Sequence, residues 1–401
     1  MHANGAAVRH VADLEVVLDP GEPVVTLFSG GLDSTHLLML LAERGFRHVT
    51  ALAVELGANT DIERATTTCA HFGARLVVVD RRDQFVEEFV FPAIQAHAVY
   101  LGLHPISSSL SRALIAREGV RQAQEIGAAA ILHTASRSQN TLRRLNGALR
   151  SLGFEGAYGS PYEACAIPRD EKKQDLAAAG VDDLTDRPFS VDANLWCREF
   201  ESGALDDPER FTMPADSFLW STGAAAAPRA TVEVTFEHGV PVGLDGERVP
   251  GVELISRLNF LAGAYGLGRY SGLEHLYTGD KVLEVREMPA AELLLCAYRH
   301  LESATVDAET VREKLALEQL WVREAVEGRW FQGLRRAAQA FVDEVRKAVS
   351  GTIAFTLSPH GLEVCSIRAD APLYLRSRES WESERISAAA WDEKRGLKWT
   401  I

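Results

Sequence analysis

The first half of the chain alternates short apolar runs with stretches of helical periodicity. The apolar runs predict strands that are buried on both faces, and they lie at residues 24–28, 49–54, 76–79 and 129–133. The helical stretches lie at residues 36–42, 61–72, 84–100 and 111–126. A glycine follows three of these helices in the position of a C-cap, at residues 45, 73 and 127. This alternation predicts an α/β fold with a doubly wound parallel sheet, whose ligands bind at the carboxyl ends of the strands.

The pattern changes near residue 188. A loop-rich stretch runs to residue 227, and strict alternation of apolar and polar residues begins at Thr231, which predicts antiparallel strands with turns at residues 238–239 and 245–246. Helices are predicted at residues 253–265, 290–298 and 307–349, and a further antiparallel pair at 351–368. The second half is therefore α+β. We divide the chain into an extension (1–22), a parallel-sheet domain (23–187), an α+β domain (188–375) and a charged C-terminal tail (376–401) that carries Trp381 and Trp391.

Composition narrows the class of protein and of partner. The 401 residues include 56 acidic and 42 basic side chains, for a formal net charge of −14. This acidic balance argues against a general nucleic-acid or membrane-surface partner. The five cysteines lie far apart without a C-x-x-C pair, so neither a disulfide framework nor a metal cluster is predicted. Because no signal-peptide pattern and no apolar run of about 18 residues is present, we expect a cytoplasmic protein.

The turn after the first predicted strand carries the candidate chemistry. The apolar run 24–28 is followed by Ser29, Gly30 and Gly31, and a helix begins directly afterwards. Two adjacent glycines leave a turn whose backbone N–H groups can close around an anion, and the unpaired amides of a helix N-terminus favour the same ligand. The motif is not the longer P-loop, because no lysine follows the glycines. The sequence therefore predicts a phosphate site of a different kind.

The segment SGGLDST (residues 29–35) resembles the PP-loop of the N-type ATP pyrophosphatases, which cleave ATP between the α- and β-phosphates. Four further segments occur in the order and approximate spacing seen in the argininosuccinate synthase family: FVEEFVFPAIQAHAVY (85–100), SLSRALIAR (109–117), SVDANLWCREFESGALDDP (190–208) and LAGAYGLGR (261–269). The third segment is specific to that family. The chain resembles a divergent member of it from about residue 23 to residue 375.

The resemblance implies a fold, a reaction and its co-substrates. The family has an N-terminal HUP-like nucleotide-binding domain and a C-terminal α+β synthetase and multimerisation domain, and its members are usually homotetramers. Its reaction uses ATP to adenylate the ureido oxygen of citrulline; pyrophosphate leaves, the amine of aspartate attacks, and AMP departs. We therefore expect ATP, small-molecule substrates and no nucleic-acid or membrane partner. Mg²⁺ is expected as well, because ATP chemistry needs the phosphate charge neutralised.

The resemblance also assigns roles to individual residues. The ATP phosphates and ribose would be held by Leu27, Ser29, Gly30, Gly31, Leu32, Asp33, Ser34 and Thr35, and Ser29, Asp33 and Ser34 are the predicted catalytic residues. Val54 would meet the adenine through its backbone. Arg137, in the segment HTASRSQNTLRR (133–144), could replace a family lysine that contacts pyrophosphate, or be a solvated surface residue. The predicted substrate contacts are His104, Ser109, Arg112, Ser136, Asn140, Thr141, Arg144, Ser190, Glu199, Glu274 and Arg286.

Several predicted substrate contacts depart from the family pattern. His104 and Arg286 stand where the family has tyrosines on the citrulline, Glu199 replaces a serine, and Thr141 replaces an aspartate of the second substrate site. Each change alone is compatible with drift, and Glu199 with Arg286 could form a structural ion pair. Together they change charge, size and hydrogen bonding in one pocket, which is how binding sites discriminate between substrates. We therefore expect retained adenylation with an altered acceptor in a specialised pathway, and leave the amine donor open.

Three alternatives stay open on the sequence. The first is the ordinary argininosuccinate synthase of arginine biosynthesis, with unusual pocket residues. The second is a PP-loop RNA-modifying enzyme, against which the acidic balance and the missing cysteine pair argue. The third is a non-catalytic nucleotide-binding protein, suggested by Arg137 and Gln139 at positions where the family has glycines.

Overall fold

A six-stranded parallel sheet organises the first half of the chain. The computed structural model describes residues 7–58, 61–181 and 188–386, and its elements are numbered in chain order. The strands as far as residue 159 are β1 (Ala7–Val8), β2 (Val24–Leu27), β3 (Val49–Glu55), β4 (Arg75–Asp80), β5 (Val99–Tyr100), β6 (His104–Pro105), β7 (Ala130–Leu132) and β8 (Ala157–Gly159). The sheet has the order β1-β8-β7-β2-β3-β4, and β5 pairs with β6 in a separate hairpin.

The first half also contains the following helices, some of which pack on the two faces of this sheet. They are α1 (Asp13–Val16), α2 (Leu32–Glu43), α3 (Ile62–His71), α4 (Arg82–Phe85), α5 (Phe91–Gln95), α6 (Ser108–Ile126), α7 (Thr141–Ser151) and α8 (Arg169–Ala178). Alternate strand residues contribute to two different cores: Val24 and Leu132 pack with α2, whereas Val25 and Ile131 pack with α6 and α7. The fold is the doubly wound α/β fold that the alternation of strands and helices predicted.

Three features of the first half differ from the prediction. The predicted helix 84–100 ends at Gln95, and residues 99–100 belong to β5. This helical stretch contains a π-helical turn at Val86–Val90, where the helix is wider than an α-helix. Pro92, which has no N–H to donate, follows shortly after this turn. Strands β6 and β8 and helices α1, α7 and α8 were not predicted. Strand β1, which lies in the predicted extension 1–22, pairs with β8 and adds an edge strand to the sheet.

The second half contains two antiparallel sheets and four long helices among the described residues. The strands are β9 (Ser190–Ala193), β10 (Arg198–Glu201), β11 (Ala230–Glu237), β12 (Val240–Leu244), β13 (Glu247–Arg248), β14 (Arg269–His275), β15 (Lys281–Glu287), β16 (Gly351–Ser358) and β17 (Gly361–Ala369). The helices are α9 (Gly251–Gly263), α10 (Pro289–Thr305), α11 (Ala308–Val326), α12 (Gly333–Val345) and the shorter α13 (Arg378–Ile386). Short 3₁₀ turns lie at Gly203–Leu205, Ala215–Ser217 and Arg346–Ala348. Of the predicted tail, residues 387–401 with Trp391 lie outside the described residues.

The strands of the larger sheet were predicted from the sequence as two separate antiparallel groups, and the structure joins them through β11 and β16. The order of this sheet is β13-β12-β11-β16-β17. His238 and Gly239 have φ values of 48° and 77°, and Asp245 and Gly246 have φ values of 51° and 83°. Two successive residues with positive φ are what a tight two-residue hairpin turn requires. Both predicted turns are therefore confirmed.

The smaller sheet was missed, and it is the one that matters for the site. Its order is β14-β15-β10-β9, so two of its strands lie in the stretch 188–227 that was expected to be loop-rich. That expectation was wrong because β9 and β10 are only four residues long. Each of these strands also has a polar face that packs inside the protein. A short sequence such as REFE (198–201) therefore has no continuous apolar run that would indicate a strand.

The two halves share one hydrophobic core. Phe85 and Phe89 of the first half belong to the same buried cluster as Trp196 and Leu294 of the second. The Leu195 N–H also donates to the Leu56 carbonyl at 2.8 Å, directly after β3. None of the helices in the described part of the chain is long and apolar enough to span a bilayer.

Candidate active site

The turn between β2 and α2 presents unpaired backbone donors. Gly30 has a φ of +72°, a conformation that favours glycine, and Gly31 caps α2 with an extended backbone. The first intrahelical bond of α2 runs from the Thr35 N–H to the Gly31 carbonyl at 3.0 Å. The amides of residues 32–34 precede it and have no acceptor within the helix. This geometry suits the phosphate site that the sequence predicts.

The side chains predicted to bind ATP differ in their access to this turn. Ser29 is exposed, and its Oγ lies 3.2 Å from that of Ser34, whose hydroxyl also donates to the turn backbone at 3.1 Å. Thr35 is 1% exposed, and its hydroxyl has no hydrogen-bond partner among the described residues. Leu27 is buried at the end of β2, and Val54 is half-buried in β3, so only their backbones are placed to meet a nucleotide.

Helix α8 brings to this turn a lysine that was not predicted from the sequence. Lys172 Nζ lies 2.7 Å from Asp33 Oδ1 and 4.4 Å from the centroid of the Tyr162 ring. One turn further along α8, Asp175 Oδ2 lies 3.1 Å from Nε2 of His36, whose Nδ1 is 2.8 Å from the Tyr162 hydroxyl. Burial lowers the pKa of His36 even though Asp175 opposes the shift. Two polar contacts therefore fix α8 against the first turns of α2.

The loop after β7 lies at the same edge of the sheet as the phosphate turn, because β2 and β7 are neighbouring parallel strands. Its first residue, His133, is buried and has Nε2 2.9 Å from Asn146 Oδ1; burial lowers the pKa of His133 to about 4. Arg137 is exposed on this loop, and the Ser136 hydroxyl lies 2.9 Å from that of Ser138. The roles predicted for Arg137 and Ser136 remain predictions.

Asn140 links this loop to the second half of the chain. Its Nδ2 donates to Glu274 Oε1 and to the His275 carbonyl, both at 2.9 Å. The side chain is 6% exposed, and its Oδ1 has no hydrogen-bond partner within the described residues. A buried amide oxygen without a donor is costly unless a water or a ligand supplies one. Asn140 is therefore placed to accept a hydrogen bond from a bound molecule.

The sheet β14-β15-β10-β9 turns one polar face toward the first half. Residues directly opposite one another on antiparallel strands share a face, and Glu199 lies opposite Asp192 on one side and Arg286 on the other. Residues two positions away along each strand share the same face. This face, which we call the polar face, carries Ser190, Asp192, Glu199, Glu201, Glu274, Glu284 and Arg286. The opposite face contributes Phe200, Leu283 and Val285 to a hydrophobic cluster.

Arg286 forms ion pairs with three carboxylates on the polar face. Its guanidinium donates to Glu199 Oε1 at 2.5 Å, to Glu274 Oε2 at 2.8 Å and to Glu284 Oε2 at 2.5 Å, and the residue is 2% exposed. Arg144, from α7, adds a second cation by donating to Glu274 Oε1 at 2.9 Å. The predicted substrate contacts Arg144, Glu199, Glu274 and Arg286 therefore meet in one buried cluster.

Burial and ion pairing shift the pKa values of the carboxyl groups in this cluster. Burial raises the pKa of Glu284 well above its ordinary value. Burial would raise the pKa of Glu274 too, but a hydrogen bond with Glu284 and the charges of Arg144 and Arg286 hold it well below its usual range. The pKa values of these two neighbouring carboxyl groups are therefore shifted in opposite directions. Burial also raises the pKa of Glu199, although the charge of Arg286 opposes that shift.

Little space is left beside the cluster. The cavity there has a volume of about 10 Å³ and is lined by Tyr100, His104, Ile106, Ser107, Ser108, Ser109, Arg144, Glu274, Arg286 and Val326. That is room for about one water molecule, whereas small-molecule sites usually measure about 300–1,000 Å³. The lining includes five of the predicted substrate contacts, which are His104, Ser109, Arg144, Glu274 and Arg286.

The remaining predicted contacts surround this pocket without all lining it. His104 is buried in its wall, and burial, with the charge of Arg286, lowers its pKa to about 3, so the imidazole is neutral. Arg112 forms an ion pair with Asp192 of β9. Ser190 lies on β9 and Thr141 begins α7. Their roles toward a substrate remain predictions.

Four residues of the site were not predicted. Ser108 accepts a hydrogen bond from Arg144 at 2.7 Å, although its neighbour Ser109 was the one selected from the sequence. Glu201 and Glu284 lie two positions from Glu199 and Arg286, so a period of two would have found them had the strands been recognised. Burial raises the pKa of Glu201 to about 7. For Lys172 no local sequence signal exists, because its partner Asp33 lies 139 positions away.

A parallel HUP-type sheet with a glycine turn at its carboxyl edge, closed by a polar second domain, defines a PP-loop nucleotide-binding enzyme. Two family models match the chain: the arginosuccinate synthase N-terminal HUP domain over residues 23–178 and the arginosuccinate synthase C-terminal domain over residues 189–392. The chain belongs to the argininosuccinate synthase family. It is accordingly an ATP-dependent carbon–nitrogen ligase that forms AMP and pyrophosphate. This assignment disagrees with the alternatives of an RNA-modifying enzyme and of a non-catalytic nucleotide-binding protein.

Known relatives support this assignment. The chain is 36% identical over 378 residues to the argininosuccinate synthase of Rubrobacter xylanophilus, covering 92% of each chain. It is 33% identical over 354 residues to that of Pyrococcus furiosus, covering 88% of this chain and 86% of the relative. Among solved structures, the U34-tRNA thiolase NcsA from Methanococcus maripaludis aligns with a TM-score of 0.30 and 21% identity over 43% of this chain and 61% of that chain, which is too weak a likeness to bear on function.

Proposed function

We propose that this chain catalyses the reaction for which its relatives are named, joining citrulline to aspartate with the conversion of ATP to AMP and pyrophosphate. One observation carries the proposal. Asn140, on the loop next to the phosphate turn, donates to Glu274 of the second domain and keeps a buried acceptor free. This contact brings the predicted acceptor side of the site to the edge of the sheet where ATP is expected to bind.

The chemistry follows from this juxtaposition. A ureido carbon is a poor electrophile, and converting its oxygen into a leaving group as AMP removes that obstacle. The unpaired amides of residues 32–34 and the hydroxyls of Ser29 and Ser34 would stabilise the negative charge of the departing pyrophosphate. Asn140 and Arg144 would hold the acceptor beside the α-phosphate, so that adenylation and amine attack become effectively unimolecular. No side chain needs to form a covalent intermediate.

A product assay tests this proposal. The purified chain is incubated with MgATP, citrulline and aspartate, and with each substrate omitted in turn, and AMP, ADP and pyrophosphate are quantified. The expected result is continued formation of AMP and pyrophosphate in equal amounts only when both organic substrates are present, because adenylation without the amine stops after about one pyrophosphate per site. Formation of ADP in place of AMP would contradict the proposed chemistry itself.

A second candidate keeps the chemistry and changes the acceptor, and the ion-pair cluster favours it. If Arg286 were absent, the carboxylates beside it would lack one positive charge, which an ammonium group such as that of citrulline can supply. Arg286 provides this charge from the protein by pairing with Glu199, Glu274 and Glu284. The second candidate is therefore a ligase for a ureido-type acceptor without an ammonium group. The names of the relatives favour the first candidate.

The two candidates differ in their response to one pair of acceptors. Citrulline and 5-ureidopentanoate share the ureido group and carboxylate but differ in the α-ammonium group. Under the second candidate, the kcat/KM of the wild type favours 5-ureidopentanoate over citrulline by about tenfold or more. The Arg286→Gln variant should reverse this preference. The double variant Arg286→Gln with Glu199→Gln should abolish the reversal, because the negative charge of Glu199 is removed too. Under the first candidate, wild type prefers citrulline.

Magnesium enters the proposal with ATP. Within the described residues no three His, Cys, Asp or Glu side chains are grouped so that they could hold a metal ion. Mg²⁺ usually needs only one or two carboxylates in addition to phosphates and water, so the phosphates of ATP itself would supply part of its ligands. We also propose a homotetramer, as the resemblance to the family implies; light scattering of the purified chain tests its mass.

A further inference from the structure

The phosphate turn contains one ionisable side chain, and its charge has the wrong sign for a phosphate site. In the segment SGGLDST only Asp33 is charged. It lies in the first turn of α2, where its carboxylate, 43% exposed, competes with a bound anion for the positive end of the helix. A triphosphate at the amides of residues 32–34 would be repelled by this carboxylate unless a cation compensates it.

Lys172 provides that compensation from α8. Its Nζ donates to Asp33 Oδ1 at 2.7 Å, while the side chain, 9% exposed, lies against the face of the Tyr162 ring. Its location is set independently by the contact between Asp175 and His36 one turn further along the same two helices. Among the described residues, no other ion pair involves the turn 29–35.

We propose that Lys172 is a positioning residue of the ATP site: it neutralises Asp33 and holds its carboxylate to one side, so that the free amides of α2 face the triphosphate. Lys172 acts through Asp33, because its ammonium group is largely buried beneath that carboxylate. This inference goes beyond the proposed function, since it concerns how ATP is held whichever acceptor is used.

A charge cycle measured by ATP binding tests it. The dissociation constant of MgATP is measured by calorimetry on the full chain for wild type, Lys172→Met, Lys172→Arg, Asp33→Asn and the double variant. Lys172→Met is expected to weaken binding by about tenfold or more, and Lys172→Arg by less than about threefold, because the arginine keeps the charge. In the Asp33→Asn background, Lys172→Met should change binding by less than about threefold, since no charge is left to compensate.

Asp175→Asn is the matched control, because it weakens the other contact between α8 and α2 and leaves Lys172 with Asp33. It should leave ATP binding unchanged. The proposal is overturned if Asp175→Asn weakens binding as much as Lys172→Met, which would mean that only the docking of α8 matters. It is also overturned if Lys172→Met weakens binding as much in the Asp33→Asn background as it does in wild type. Should Lys172→Met alone not fold, the double variant compared with Asp33→Asn still gives this second result.

Discussion

Arg286 lies directly opposite Glu199 on the neighbouring antiparallel strand, and its guanidinium donates to that carboxylate at 2.5 Å. Both side chains are nearly fully buried. Removing one partner of a buried pair leaves an uncompensated charge in a medium of low dielectric constant, whereas removing both avoids that penalty. We therefore expect the two side chains to act as a pair in the stability of this sheet.

The first prediction concerns the stability of this pair. Arg286→Gln and Glu199→Gln are each expected to lower the free energy of unfolding by about 3–5 kcal/mol, and the double variant by no more than either single one. Urea unfolding followed by tryptophan fluorescence measures the three midpoints. Additive losses would show that the two side chains do not act as a pair.

The second prediction separates backbone strain from phosphate binding at the turn. Gly30 and Gly45 have φ values of +72° and +76°, and a Cβ on either would meet no atom closer than 4.0 Å. Alanine at either position should cost about 1–2 kcal/mol of stability through the left-handed backbone. Only Gly30→Ala should also weaken ATP binding, by about tenfold or more. Equal ATP affinity in the two variants would place the nucleotide elsewhere.

The third prediction concerns Asn140. In Asn140→Asp a carboxylate oxygen replaces the amide that donates to Glu274, so two acceptors face each other in a buried site. We expect kcat/KM for the acceptor to fall by about 100-fold or more, with the dissociation constant of ATP unchanged. A loss of ATP affinity of the same size would indicate that the loop 133–140 has collapsed onto the phosphate turn.

The fourth prediction follows from Glu201, whose pKa burial raises to about 7 from an ordinary 4.5. Since the unfolded chain ionises this group at the lower pH, its contribution to stability is complete below about pH 4.5 and is lost as the pH rises through about 7. Glu201→Gln should therefore reduce the loss of stability between pH 5 and pH 8, by up to about 3 kcal/mol. Urea midpoints at the two pH values measure it, and exposed Glu209→Gln controls for simple removal of a charge.

Local patterns in the sequence were sufficient for the parallel sheet and the phosphate turn. Strand β2, the turn and α2 follow one another within 20 residues, so an apolar run, two glycines and a helical period describe them without reference to the rest of the chain. The hairpin turns at His238 and Asp245 were predictable for the same reason, because their glycines fix the backbone locally. The resemblance to the family added the substrate contacts, several of which the structure brings together.

Only the tertiary structure shows which side chains these residues pair with. Asp33 and Lys172 are 139 positions apart, and Glu199 and Arg286 are 87 positions apart. The polar face belongs to strands β9, β10, β14 and β15. In the sequence its residues have the composition of a solvated surface, whereas in the structure the face packs against the first half of the chain. Whether a charged side chain is solvated or paired depends on which distant segment packs over it, and no local pattern carries that information.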